Sequence, residues 1–146
     1  MKEIGELCTR EVYFVNKSEP LAEAVREMHR RHVGAVVVAE PHGQRLLPVG
    51  ILTDRDVLRG QVKRHADLFT MTVQDVMTAE PLALVESDGL AEGISKLRTR
   101  GVRRAPVVAD TGGLVGIVSL DDLLPAVAEE LSGLAKLIGR QASREA

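Results

Sequence analysis

The chain has 146 residues, 45% of them hydrophobic and 27% charged, with a formal net charge of −2; this is enough for one domain with a real core or two small modules sharing one, and it excludes a disordered chain or a polybasic nucleic-acid binder. Aromatic residues make up only 2%, too few for the stacking platforms of single-strand binders, and no apolar run reaches membrane-spanning length. The acidic start Met1-Lys2-Glu3-Ile4-Gly5-Glu6 has no apolar secretory centre and Cys8 is the single cysteine, so the expectation is a soluble cytoplasmic protein without an intramolecular disulfide.

Taken in order, the elements repeat. Leu7-Cys8-Thr9-Arg10-Glu11 returns 69 residues later as Val76-Met77-Thr78-Ala79-Glu80. The same offset relates Leu21-Ala22-Glu23-Ala24-Val25 to Leu90-Ala91-Glu92-Gly93-Ile94, and Val33-Gly34-Ala35-Val36-Val37-Val38 to Val102-Arg103-Arg104-Ala105-Pro106-Val107. In each half an extended piece (Tyr13 to Val15; Leu82 to Val85) meets a serine, Ser18 or Ser87, expected to cap a helix. The helix has apolar positions Leu21, Ala24, Val25 and Met28, or Leu90, Ile94 and Leu97. A strand follows (Ala35 to Val38; Ala105 to Val108), then a Gly-containing turn, a second strand and a second helix. Beyond the turn the offset falls to 66, so the first copy carries three extra residues around Pro41-His42-Gly43-Gln44-Arg45, expected as a surface loop. The reading is α/β, with two β-α-β-β-α repeats over 1–69 and 70–146 packed by a pseudo-twofold axis. A half this small buries little alone, so the halves must share a core. The connector Thr70-Met71-Thr72-Val73-Gln74-Asp75 is too short and too poor in Gly and Ser to let them move independently.

The chemistry concentrates where the last strand of each half turns into a helix. Val49-Gly50-Ile51-Leu52-Thr53-Asp54-Arg55-Asp56 and Leu114-Val115-Gly116-Ile117-Val118-Ser119-Leu120-Asp121-Asp122 both place a hydroxyl three residues before a carboxylate. Thr53 with Asp56, and Ser119 with Asp122, fit a variant capping box. They also fit a ligand site, because a helix N-terminus offers unpaired N–H groups to an anion and the carboxylate accepts from hydroxyls. Both readings stay open on spacing alone.

Arg103 and Arg104 precede a strand in the second half, where the first has Gly34 and Ala35. They are either a solvated strand entry or a guanidinium pair for phosphate. A cleft lacking them would rely on a helix N-terminus and on groups such as Arg55. His29 and His32 stand three apart, but basic neighbours and the lack of an acidic third ligand argue against a metal. Cys8 matches Met77, which marks a packing position; Tyr13 and Phe14 are expected mainly in the core. No nucleophile–base constellation, P-loop or glycine fingerprint supports an enzyme. Beyond Ser119, the residues Leu124, Val127, Leu131, Leu134 and Ile138 form one helical stripe, expected to pack on the chain or to seam a dimer. Pro125 is expected to kink that helix, and Arg140 to Ala146 to fray.

The stretches Val76-Met77-Thr78, Gly101-Val102-Arg103-Arg104-Ala105-Pro106-Val107-Val108 and Leu114 to Leu124, with their first-half counterparts, resemble the CBS domain, named from cystathionine β-synthase. Two in register resemble a tandem pair, a Bateman module, spanning nearly the whole chain with no attached enzyme or transporter. The resemblance implies a regulatory module binding AMP, ADP, ATP or S-adenosylmethionine, with no cofactor required and no nucleic-acid or membrane partner. It assigns ribose hydroxyls to Asp56 and Asp122, the neighbourhood of ribose or phosphate to Thr53 and Ser119, and phosphate to Arg103 and Arg104. Adenine falls near Val15, Val36, Leu84 and Ala105. The stripe at Leu124, Leu131 and Ile138, with the general preference for twofold assembly, points to a homodimer, and the module is expected to signal to a regulated protein. A ligand-free interaction module is the rival reading.

Overall fold

Two β-branched runs become the central strands of two separate sheets. The computed structural model describes residues 2–65 and 67–145. In the first half, strand β1 (Phe14–Val15) leads to helix α2 (Leu21–Arg31), after a short α1 (Ile4–Leu7); β2 (Ala35–His42), β3 (Arg45–Thr53) and α3 (Asp54–Arg64) follow. The second half repeats the plan with α4 (Val73–Val76), β4 (Thr78–Ala79), β5 (Leu84–Val85), α5 (Leu90–Arg100), β6 (Arg104–Val108), β7 (Leu114–Ser119) and α6 (Leu120–Glu145). One sheet runs β1-β2-β3-β4 and the other β5-β6-β7. In each, a parallel pair (β1 with β2, β5 with β6) is followed by an antiparallel hairpin. β3 and β7, which lead into the two junctions, lie in contact.

The packed halves do not follow the linear repeat. Strand β4 pairs with β3 of the first half, Thr78 opposite Ile51. The equivalent Thr9 exchanges both backbone hydrogen bonds with Ile117 of β7, at 2.9 and 3.0 Å. Helix α1 puts Ile4 into the second core, beside Leu84, Leu97 and Val118. Its Ile4 N–H donates to the Asp88 carbonyl at 2.8 Å. Met71 and Val73 in turn enter the first core, beside Leu21, Val38 and Leu52, where Val73 N–H donates to the Glu19 carbonyl at 3.0 Å. Each half thus borrows the opening segment of the other, and the connector is anchored rather than free.

Several local expectations change. Ser18 and Ser87 lie upstream of the helices, whose N-caps are Pro20 and Gly89. Ser18 instead donates to the Asn16 side chain within its own turn, and Ser87 donates to Asp110 of a distant loop. The three extra residues lengthen the β2–β3 hairpin rather than forming a loop: His42 pairs with Arg45 across Gly43 and Gln44, with Gly43 at φ +67°. A glycine takes that left-handed position without strain. At the hairpin end, the Arg45 guanidinium donates to the Thr111 carbonyl of the other half. Phe14 is exposed rather than in the core. His32 sits at the left-handed C-cap of α2, outside the helical turn that would align it with His29. Pro125 is carried inside α6, which continues to Glu145 through the segment expected to fray. Proline so early removes one intrahelical bond, to the exposed Asp121 carbonyl. Among the described residues, no helix is long and apolar enough to cross a membrane.

The exchange depends on two missing side chains. A Cβ on Gly116 would stand 2.7 Å from Cys8 Sγ and 2.8 Å from the Thr9 carbonyl oxygen. On Gly50 it would stand 2.6 Å from Met77 Sδ and 3.0 Å from the Thr78 carbonyl oxygen. Cys8 and Met77 are therefore equivalent packing residues, and burial pushes the Cys8 thiol above its ordinary range. Since a backbone oxygen held in a sheet cannot yield as a side-chain end can, Gly116→Ala should cost about 1–3 kcal/mol of stability. Gly133→Ala, in α6 with nothing near its Cβ, should be neutral or stabilising by up to about 1 kcal/mol. Urea unfolding of both variants checks this; equal midpoints would contradict the role given to Gly116.

Candidate functional site

Thr53 ends β3 in extended conformation, φ −117° and ψ 161°. The next residues enter α3, and the capping box closes. Asp56 N–H donates to Thr53 Oγ1 at 3.1 Å, and Thr53 N–H donates to Asp56 Oδ2 at 3.0 Å. The other carboxylate oxygen, Oδ1, accepts from the Thr78 hydroxyl at 3.3 Å. Asp56 is thus both a cap and an acceptor for a hydroxyl arriving from β4. At the second junction Asp122 Oδ2 accepts from Ser119 N–H at 2.8 Å and from its hydroxyl at 3.2 Å. There the hydroxyl donates to the carboxylate, so the two boxes are not copies.

A cleft of about 370 Å³ opens beside Thr53 and Asp56. Into it face Arg55 and Arg59 from α3, Arg100 from the end of α5, and Arg103 and Arg104 at the entry to β6. Five guanidinium groups against Asp54 and Asp56 make a positive basin, with Ile51, Leu82 and Val102 supplying apolar wall. Arg100 is pinned by donating to the Glu80 carbonyl at 3.0 Å. Helix α3 points its N-terminus toward the same space, adding partial positive charge. Phosphate, with three or more acceptor oxygens, suits such a forked set of donors.

The repeat generates a second cleft, of about 420 Å³. Thr9, Tyr13, Arg31, Val33, Ala35 and Ile117 line it, at the positions that Thr78, Leu82, Arg100, Val102, Arg104 and Ile51 hold in the first. Its one arginine, Arg31, lies 4.1 Å over the Tyr13 ring and bonds Glu27 at 3.2 Å. Tyr13 therefore belongs partly to the core and partly to a cleft wall. Burial, and then Glu19 and Glu27, push its hydroxyl above the ordinary range.

The two clefts sort the residues singled out in the sequence. Thr53, Asp56, Arg103 and Arg104 come together in the first. Arg55 joins them there, not in the cleft lacking the arginine pair as expected, because the start of α3 borders the same space as Arg103 and Arg104. Ser119 and Asp122 form the other junction. Val36 borders the second cleft but is buried in the first core as deeply as Val15. Val15, Leu84 and Ala105 are corrected to core residues: their side chains are buried against neighbouring strands and helices and present almost no surface to a ligand. Three contributors escaped notice, Arg59, Arg100 and Thr78. The i,i+4 spacing of Arg55 and Arg59 on one helix face and the match of Arg100 with Arg31 were the available signals.

The CBS domain family model matches residues 4–63 and again 73–129. An uncharacterized protein of Methanopyrus kandleri, MK0525, is 30% identical over 122 residues, which cover 83% of this chain and 60% of that protein. The chain thus spans less than two thirds of that relative's length. Among solved structures, CBSX2 in complex with AMP superposes with a TM-score of 0.72 at 24% identity, covering 88% of this chain and 98% of that one. The CBS domain pair of protein MJ0100, in complex with 5′-methylthioadenosine and S-adenosyl-L-methionine, gives 0.75 at 18% identity, covering 89% and 98%. Both likenesses establish the fold. With two family matches in one chain and the paired architecture they predict, the protein belongs to the CBS domain family and carries two copies of the domain.

Proposed function

We propose that the chain is a regulatory module, not an enzyme, and that it binds a phosphorylated adenosyl compound in the cleft of the five arginines. The observation that carries this reading is the meeting of Arg103 and Arg104 with the Thr53–Asp56 box in one space. Asp56 Oδ1 already accepts a hydroxyl, that of Thr78, which is the chemistry a ribose hydroxyl requires. Arg103 and Arg104 take the phosphate as a fork, helped by the N-terminus of α3 and Thr53. Ile51, Leu82 and Val102 provide the apolar wall for the base. The AMP of CBSX2 and the adenosyl ligands of the MJ0100 pair support an adenosyl class. The excess of guanidinium favours AMP, ADP or ATP over S-adenosylmethionine, whose sulfonium carries positive charge. The second cleft has a committed arginine and an apolar wall that includes Val36, and Ser119 and Asp122 do not line it, so it is the weaker position. The module acts in the cytoplasm as a homodimer and passes its ligand state to a regulated protein.

Replacing both Arg103 and Arg104 with alanine should bring AMP affinity down towards that of adenosine, with adenosine itself little changed. Calorimetric titration of both ligands tests this; a double variant that still prefers AMP as strongly as the parent would overturn the assignment.

Asp56→Asn keeps an oxygen for the Thr53 N–H but removes the charge. A hydrogen bond to a charged group is worth roughly 1.5–3 kcal/mol, so AMP affinity should fall about tenfold to a hundredfold. Asp122→Asn should leave it within about twofold. If Asp56→Asn only lowers the melting temperature and binds AMP like the parent, the carboxylate is a cap alone and the ligand-free reading gains.

A further inference from the structure

Helix α6 serves two ends. Its first turns pack: Leu123 and Ala126 are buried in the second core, and Val127 rests against it. From Ala128 to Arg144 every residue is exposed, an arm of about 25 Å at 1.5 Å per residue. The arm is not a polar solvated helix. Leu131, Leu134, Leu137 and Ile138 stand 62%, 59%, 61% and 68% exposed on one side of it. Two such arms expose on the order of 1,000 Å² of leucine and isoleucine surface, about what a specific interface must clear. An apolar face this large on one short helix calls for a cover.

The spacing says what covers it. Leu124, Leu131 and Ile138 recur every seven residues, and Val127 and Leu134 fall three places after the first two. These are the a and d positions of a coiled-coil seam. On one flank, immediately before each a position, lie Glu130, Leu137 and Arg144. On the other flank stand Ala128, Ala135 and Ala142, small enough for a second helix to approach closely. Glu130 and Arg144 are about 21 Å apart along one helix, too far to pair with each other. In a parallel pair each would face an alanine flank, and the two folded bodies would crowd at one end. In an antiparallel pair like flank meets like flank. A register that sets Leu134 of each copy against Ile138 of the other then brings Glu130 within reach of Arg144 on the facing flank, about 3 Å off level, and Leu137 beside its own counterpart.

We infer that residues 128–145 form an antiparallel two-helix seam with a second copy of this chain, its register fixed by reciprocal Glu130–Arg144 ion pairs. The folded bodies sit at opposite ends of the seam, leaving the arginine cleft of each body, built from residues 51–104, outside it. This rests on the homodimer proposed above and goes beyond it in naming the surface, the direction and the register.

The test is sedimentation equilibrium of the full chain at low salt, with charge reversals on the exposed arm. Glu130→Arg and Arg144→Glu should each weaken dimerisation about tenfold or more, because each replaces two attractions with two repulsions. The double variant E130R/R144E should dimerise like the parent. An equimolar mixture of the two single variants should do the same, since their charges are complementary only when antiparallel. Melting of the folded body should be unchanged in all of them. A monomeric parent at tens of micromolar would overturn both the seam and the homodimer. A dimeric parent indifferent to the reversals would overturn the seam alone and move the interface elsewhere, for instance to the exposed Leu58, Val62 and Phe69. Weakened single variants that neither the double variant nor the mixture restores would overturn the antiparallel register.

Discussion

Two glycines without side chains let the halves of this protein interlock. At Gly50 and Gly116 a strand of one sheet passes so close to the opening segment of the other half that a single carbon would collide with it. The contact makes the fold one cooperative object. Each core is completed by a helix that belongs, in the linear repeat, to its neighbour: Ile4 for the second, Val73 for the first. Neither half could shed that helix without opening a hole in its core, and loss of large buried side chains costs several kcal/mol. The clefts follow from the same exchange. Thr78 reaches Asp56 only because β4 has been lent to the first sheet.

Interlocking halves related by a pseudo-twofold axis produce two clefts for the same structural reason, and side-chain divergence then separates them. Arg104 of one is Ala35 of the other, and Leu82 is Tyr13. In the first cleft Arg55, Arg59, Arg103 and Arg104 gather from two elements that meet only after folding. In the second, Arg31 is spent on the Tyr13 ring and on Glu27. The backbone offers similar frames, and the charges set the two clefts apart, with five arginines lining one and Arg31 the other. Duplication supplies the scaffold and asymmetry supplies the selectivity.

Much of this was legible in the chain itself. The repeat gave both sheets, because Val36-Val37-Val38 and Ala105-Pro106-Val107-Val108 can be satisfied only as buried strands, and the hydroxyl–carboxylate spacing located both strand-to-helix turns. What escaped is what depends on packing across the repeat. No local pattern says that Ile4 lies under the second sheet or that Thr9 pairs with Ile117. Ser18 and Ser87 have good capping chemistry, yet the helices begin later, since Asn16 and Asp110 claim those hydroxyls. Val15, Leu84 and Ala105 are expected near adenine, but the packing of helices on the sheets buries them. The cleft that Arg55 enters depends on the tertiary direction of α3, which the sequence does not carry.

If charge makes one of two similar clefts the binding site, calorimetry at AMP concentrations that saturate the tighter site should count one AMP per chain, with any second event much weaker. Two equal sites per chain, or no binding at all, would show that the arginines do not choose between the clefts.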